Sequence, residues 1–259
     1  MKKQLYIIKI GGNCIDNPNE LDTFLENFAA LSVPKILIHG GGKIATQISQ
    51  KLGIISKLVE GRRITSKEEL EVVTMVYAGL INKKIVSNLQ SKNCNALGLS
   101  GADANSILSK KRPVKTIDYG FVGDIEKINT EIIDVLLQKN ITPVFSAITH
   151  DKNGTLLNTN ADTIASSLAV ALSQDYETTL IYCFEKKGVL RDTEDENSII
   201  STLKFQEYQE LKEQEIIYQG MIPKLDNCFD ALQKGVQKVI ISNIDFIKNT
   251  DSEHTEILS

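Results

Sequence analysis

KILIHGGGKIATQISQKL, residues 35–52, decides how the chain is read. Its first five residues form a short, nearly continuous apolar run, three glycines follow, and KIATQISQKL then carries apolar residues at helical spacing. A strand that passes through a glycine turn straight into a helix is part of a strand–helix–strand unit. Such units build parallel sheets covered on both faces. The pattern recurs: QLYIIKI (4–10), NALGLSG (95–101), TPVFSAI (142–148), TTLIYCF (178–184) and QKVIIS (237–242) read as strands. NELDTFLENFAAL, SKEELEVVTMVYAGLINKKIVSNLQ, TEIIDVLLQ, ADTIASSLAVAL and GMIPKLDNCFDALQK read as helices. The expected fold is α/β with a mainly parallel central sheet. KLVEGRRIT (57–65) and VKTIDYGFVGDIEKI (114–128) read instead as hairpins, with alternating side chains around Gly61 and Gly120. A weak boundary falls near SQDYET (173–178), and no internal repeat is present.

Composition narrows the function classes. With 259 residues, 42% hydrophobic and 24% charged, the chain suits a globular protein of one large or two modest domains. A net charge of -4 without a basic stripe argues against nucleic acid as a partner. Cys14, Cys94, Cys183 and Cys228 are far apart and form no C-x-x-C pair, so neither a disulfide framework nor a zinc site is expected. Reduced thiols in a cytoplasm are the default. Lys2 and Lys3 precede an apolar stretch that is too short for a signal peptide and is broken by Lys9. No apolar run approaches the roughly 18 residues of a membrane span.

Ligands of open parallel sheets collect at the carboxyl ends of the strands. There, Lys9 closes the first strand before Gly11-Gly12, and the second strand ends in His39-Gly40-Gly41-Gly42. Glycines at a strand-to-helix turn let backbone N–H groups approach an anion, and the helix dipole assists. Either pair alone could simply make a tight turn. A lysine at the mouth of one of them favours an oxyanion or phosphate site. Neither G-x-x-x-x-G-K-[ST] nor G-x-G-x-x-G occurs. LLNTNADTIASSLAVAL (156–172) adds Asn158, Asn160 and Asp162 at a helix start, and GMIPKLDNC (220–228) adds Lys224 early in another helix. Taken singly these are a helix cap and a solvated lysine. Together, two lysines, glycine N–H groups and one aspartate are the parts of a phosphoryl-transfer site.

The series KIGGN, HGGGK, GRRIT, GLSGAD, GFVGDIEKIN, LLNTNADTIA and GMIPK, spread over residues 5 to about 242, resembles that of the N-acetyl-L-glutamate kinases within the amino acid kinase family. The resemblance implies a three-layer αβα sandwich with an N-terminal lobe (1–174) that binds the acylated amino acid and pairs into a homodimer. It implies a C-terminal lobe (175–259) that binds ATP, with Mg²⁺ carried on the ATP phosphates and no protein metal site. The implied reaction is phosphorylation of the γ-carboxylate of N-acetyl-L-glutamate, the second step of arginine biosynthesis. Carried over by position, Lys9 and Lys224 balance charge on the moving phosphoryl group and Asp162 holds both ammonium groups. Gly12 and Gly41 donate N–H groups to the phosphoryl oxygens, Gly41 and Gly42 border the substrate, and Arg63 grips its α-carboxylate with Asn158 assisting. Gly11, Gly12, Glu185, Gly188, Leu190 and Tyr218 are the implied phosphate and nucleotide contacts.

This sequence departs from the series in two places. YCFEKKGVL (182–190) stands where the family carries a Thr/Ser-Asp/Asn-Val turn before the glycine, and the chain begins almost on its first strand, without the N-terminal helix of arginine-sensitive hexameric members. A plain dimer is therefore expected. Strand alternation sends Arg62 away from the ligand side of Arg63, which favours an acetyl over a succinyl substrate, because a succinyl group needs a partner for its extra carboxylate. An N-succinyl-L-glutamate kinase, a kinase of the same fold acting on carbamate, aspartate, glutamate or UMP, and a non-catalytic amino-acid or nucleotide sensor are the competing readings.

Overall fold

In the computed structural model, which describes residues 2–59, 62–217 and 221–258, the chain opens with β1 (Lys3–Ile10), the short α1 (Gly12–Asp16) and α2 (Pro18–Ala30). β2 (Lys35–His39) and α3 (Gly42–Lys51) follow, then the paired β3 (Lys57–Val59) and β4 (Arg62–Ile64). A long helix comes next, built from α4 (Lys67–Val73), a π-helical stretch (Thr74–Ile81) and α5 (Asn82–Ser91). The middle of the chain supplies β5 (Ala96–Leu99), β6 (Ile107–Lys111), β7 (Gly123–Ile128), α6 (Thr130–Gln138), β8 (Thr142–Ser146), β9 (Ile148–His150), β10 (Leu156–Asn158) and α7 (Ala161–Leu172). The remainder holds β11 (Tyr176–Cys183), β12 (Thr202–Lys204), α8 (Phe205–Glu213), α9 (Ile222–Gln233), β13 (Lys238–Ser242), α10 (Asp245–Lys248) and β14 (Thr255–Leu258).

Eight strands form one sheet in the order β12-β14-β13-β11-β1-β2-β8-β5. Every neighbouring pair is parallel except β13 with β14. Leu5 and Ile7 on one face of β1 and Ile8 and Ile10 on the other are all fully buried, as a sheet covered on both sides requires. α7 lies on β1, β2 and β11, while α2 packs with α5 and α10. The result is the expected αβα sandwich. A four-stranded sheet, β10-β9-β6-β7, and the β3-β4 pair are attached to it. The chain's weak boundary at 173–178 lies where β11 begins, and β11 pairs with β1 from Lys3↔Tyr176 to Ile10↔Cys183. The central sheet therefore runs unbroken past it.

Two expectations change. The first hairpin stands, with β3 and β4 antiparallel, although its Gly61 lies outside the described residues. The second does not: Gly123–Ile128 pairs with β6, not with residues 114–119. The chain between them makes isolated bridges to other segments instead, with Phe121 donating to the Thr65 carbonyl at 2.8 Å and Asn158 donating to the Phe121 carbonyl at 2.9 Å. Gly120, at φ +71°, is where this segment passes Thr65, and a Cβ there would fall 2.2 Å from the Thr65 carbonyl oxygen. TPVFSAI also divides, its first five residues staying in the large sheet and Ile148 opening β9 in the small one.

Register positions the site. Ile10 stands opposite His39 on one side and Cys183 on the other. The Gly11-Gly12 turn, the Gly40–Gly42 turn and the segment starting at Phe184 thus leave the sheet side by side.

Candidate active site

Lys9, at the carboxyl end of β1, forms an ion pair with Asp162 in the first turn of α7, Nζ to Oδ1 2.8 Å, with both side chains nearly buried. Asn160 caps that helix by accepting from the Thr163 N–H at 3.0 Å, which leaves the Asp162 carboxylate for the lysine. Lys224, in the first turn of α9, places its ammonium 3.8 Å from the centroid of the Phe184 ring, and Lys9 lies 5.0 Å from the same centroid. Burial holds the Lys224 ammonium below its usual pKa, with the Asp162 charge opposing that shift and Lys9 adding to it. Two cations, one carboxylate and one aromatic face therefore share a single spot. A ring face is a weak partner for an ammonium, about 0.5–2 kcal/mol, so both lysines can exchange it for phosphate oxygens.

The glycine turns differ from each other. Gly11 donates its N–H to the Cys183 carbonyl at 3.0 Å, so its backbone holds β1 to β11 and offers no free donor. Gly12 opens α1. Gly41 has φ +146°, and a Cβ on it would lie 2.1 Å from Ile81 Cδ1; only glycine fits. Gly42 starts α3, and its carbonyl accepts from Arg63 Nη2 at 2.9 Å.

Arg63 is buried, as the reading of β4 requires, but its fork is already engaged. Nη1 donates to Ser56 Oγ at 2.7 Å and to Glu69 at 3.1 Å, and Nη2 donates to Thr46 Oγ1 at 2.7 Å as well as to Gly42. Arg63 thus ties the Gly42 turn to the β3-β4 hairpin and α4. Asn158 Nδ2 donates to Thr65 Oγ1 at 3.0 Å. Arg62 is exposed, as alternation predicts, yet it lines the same cavity as Arg63. The expectation that it stays away from the ligand side is corrected: the hairpin is a rim, and both of its faces border the opening.

Two cavities border this region. A smaller one of about 170 Å³ is lined by Gly40, Gly41, Gly42, Arg63, Tyr77 and Asn158, among others. A larger one of about 670 Å³ takes in Lys9, Gly11, Gly12, Glu185, Gly188, Leu190 and Lys224. Asp162 sits between Ala161 and Thr163, which line the small cavity, and its carboxylate holds Lys9, which lines the large one. Gly188 is required by close packing, since a Cβ would lie 2.6 Å from Thr255 Oγ1. Tyr218, expected near the nucleotide, lies outside the described residues, as does Gly220 of the GMIPK motif.

A model of the amino acid kinase family matches residues 4–243. The chain belongs to this family. It is 57% identical over 256 residues to the acetylglutamate kinase of Cytophaga hutchinsonii, covering 98% of this chain and 97% of that one. It is 52% identical over 242 residues to the acetylglutamate kinase of Phocaeicola vulgatus, covering 93% and 94%. A Streptococcus mutans protein of known crystal structure superposes with a TM-score of 0.81 at 26% identity, covering 99% of both chains.

Several side chains around this site carry no signal in the sequence. Phe184 reads as one more apolar residue of a strand. Tyr77 and Ile81 reach the Gly41 turn from the π-helical stretch, and no pattern in MVYAGLI marks that stretch as different from ordinary helix. Ser56, Thr46 and Glu69, the partners of Arg63, are ordinary polar residues scattered over α3, α4 and the loop before β3.

Proposed function

We propose that this protein transfers the γ-phosphoryl group of ATP to the γ-carboxylate of N-acetyl-L-glutamate, giving N-acetyl-L-glutamyl 5-phosphate in the second step of arginine biosynthesis. The observation that carries the reading is the convergence of Lys9, Asp162 and Lys224 at one spot, with Lys9 and Lys224 lining the larger cavity and Asp162 flanked by residues of the smaller one. The naming of relatives at 52–57% identity as acetylglutamate kinases supports the substrate. Residues 1–174 form the substrate lobe, because every residue of the small cavity named above belongs to them. Residues 175–259 form the nucleotide lobe, whose Glu185, Gly188, Leu190 and Lys224 line the large cavity.

In the reaction, the attacking carboxylate is already ionised, so Asp162 has no proton to take; instead of gripping both ammonium groups as expected, it pairs directly with Lys9 and acts on Lys224 through its charge alone. Lys9 and Lys224 offset the charge that spreads over the transferring group, and Gly12 and Gly41 supply N–H donors to its oxygens. Arg63 borders the α-carboxylate; a two-pronged grip would exchange the Thr46 and Ser56 hydroxyls for substrate oxygens. Glu20, Glu185 and Asp245 give the large cavity oxygen-bearing walls that suit a hydrated Mg²⁺ riding on the nucleotide phosphates. Mg²⁺ would supply further positive charge there.

A homodimer paired through the N-terminal lobe is part of the proposal. β5 is the outermost strand of the sheet, and Leu97 on it, with Met75 and Leu80 on the adjoining helix, is 40–57% exposed. The four cysteines are free and buried, which suits a cytoplasmic location. No helix among the described residues is long and apolar enough to cross a membrane.

ADP release in the presence of N-acetyl-L-glutamate, ATP and Mg²⁺ tests the reading, and inactivity of the folded protein favours a sensor instead. Arg62 at the cavity rim is the one observation that favours a succinyl substrate. We expect kcat/KM to favour the acetyl compound; a ratio of roughly tenfold toward succinyl, about 1.4 kcal/mol, overturns the acetyl assignment, and Arg62→Ala should then remove that advantage.

A further inference from the structure

The Gly40-Gly41-Gly42 run poses a problem that the reaction does not solve by itself. A peptide flanked by glycines can rotate so that its carbonyl and N–H exchange sides, and an N–H donor that turns away is lost to the transition state. A Cβ on Gly40 would make only an ordinary 4.0 Å contact with Ala161, so packing alone does not fix this peptide.

His39, fully buried, does contact it. Its Nδ1 lies 2.9 Å from the Gly40 carbonyl oxygen. A carbonyl can only accept, so Nδ1 carries the proton. On the other side of the ring, Asn82 Nδ2 lies 3.1 Å from Nε2 and 2.9 Å from the Val144 carbonyl. The Val144 contact fixes the Asn82 amide with its nitrogen toward the ring, so Nε2 accepts. Each partner therefore demands the same neutral tautomer. Asn82 is held in turn: Lys83 Nζ donates to its Oδ1 at 3.3 Å and to the Gly98 carbonyl at 3.2 Å. Gly98 leaves the room, since a Cβ there would fall 1.9 Å from Asn82 Oδ1. Burial drives the His39 pKa down to about 4, so the ring stays neutral across the working range.

The Gly40 carbonyl and the Gly41 N–H belong to one trans peptide and point in opposite directions. With the carbonyl held on the imidazole, the N–H faces away from it, and among the described residues it meets no backbone carbonyl. We propose that His39, set in its tautomer by Asn82, is a positioning residue that locks the Gly40–Gly41 peptide so that the Gly41 N–H is presented to the transferring phosphoryl group. This rests on the phosphoryl-transfer reading above.

The ring's two sides can be tested separately. In His39→Asn the side-chain amide nitrogen can stand where Nδ1 stood and still donate to Gly40. His39→Gln reaches the Nε2 position and keeps the Asn82 contact but leaves the Gly40 carbonyl without its donor. The lock predicts that His39→Asn keeps kcat within about fivefold. It predicts that His39→Gln loses roughly 100-fold, the scale for one lost transition-state donor, with both KM values changed less than threefold. It also predicts one sharp Gly41 amide resonance in the wild type and His39→Asn, and a shifted or broadened one in His39→Gln. The reverse ranking, or equal activity of the two variants, overturns the proposal. If either variant fails to fold, nitrogen-15 spectra of the wild-type imidazole decide: a protonated Nδ1 and bare Nε2 support the lock, and the opposite tautomer overturns it. A wild type that makes no ADP defeats the kinase reading, whereas the resonance and tautomer outcomes still judge the lock.

Discussion

At the scale of single residues, the site assigns different work to its cations. In the proposed reaction Lys9 and Lys224 face the transferring group, so Ala at either should cut kcat by ~100- to 1,000-fold, about 2.7–4 kcal/mol. Arg63→Lys keeps the charge and loses the fork. It should raise KM for the acylated amino acid more than it lowers kcat, and because the buried fork holds Gly42, Thr46, Ser56 and Glu69, it should lower the melting temperature too. Near-normal kcat in Lys224→Ala, or an unchanged KM in Arg63→Lys, contradicts these assignments. Lys224 also carries a stability cost. Burial lowers its pKa in the folded state below the ordinary 10.5, so between those two values the unfolded chain binds more protons and stability rises with pH. Lys224→Met should therefore melt higher than wild type near neutral pH while losing activity, and the gap should narrow as the pH rises toward the ordinary 10.5. Thermal melts of both proteins across that range check it; a variant that melts lower at neutral pH refutes it.

At the scale of elements, the long helix over residues 67–91 and the glycine turn after β2 form a matched pair. The π-helical stretch brings Ile81 and Tyr77 against Gly41, whose Cβ would meet them at 2.1 and 3.2 Å. Wider helical turns of this kind often mark functional positions. Gly41→Ala faces two obstacles, the crowding of about 1–3 kcal/mol and backbone strain of about 1–3 kcal/mol at φ +146°. The double change Gly41→Ala with Ile81→Val should relieve only the first. Denaturant melts should show partial recovery of stability and no recovery of kcat. Full recovery of both would mean that crowding alone matters. The strand elements were more legible than this helix detail. KILIH and TTLIYCF announce themselves because a strand buried on both faces reads as a short, mostly apolar run, whereas SKEEL through NLQ reads the same whether its middle stretch is α or π.

At the scale of the whole molecule, the sheet ends at β5, whose outer edge pairs with no other strand among the described residues, an open template that proteins either blunt or pair. Pairing of two copies there predicts a solution mass of twice 28.7 kDa. Leu97→Lys, which places a charge on that edge, should shift light scattering toward the monomer. A wild type that already scatters as a monomer rules this interface out. Connectivity at this scale also explains the failed hairpin. Alternation around Gly120 is genuine, but Tyr119 and Phe121 pair with Thr65 and Asn158, both distant in sequence, while Val122 accepts from Arg112 at the end of the β6-β7 ladder.

By itself the sequence determined the α/β class, the glycine turns at the carboxyl ends of β1 and β2, and the residue types needed for phosphoryl transfer. Local chemistry governs all three: period, turn propensity and charge are written within a few neighbouring residues. Tertiary structure alone decided that Lys9 and Lys224 meet over Phe184, that the Gly11 N–H is spent on Cys183, that Arg63 is held by four side-chain and backbone partners, and that His39 grips the next peptide. Those facts depend on which strands lie side by side. A register such as Ile10 between His39 and Cys183 comes from packing a whole sheet, and no short stretch of chain encodes it.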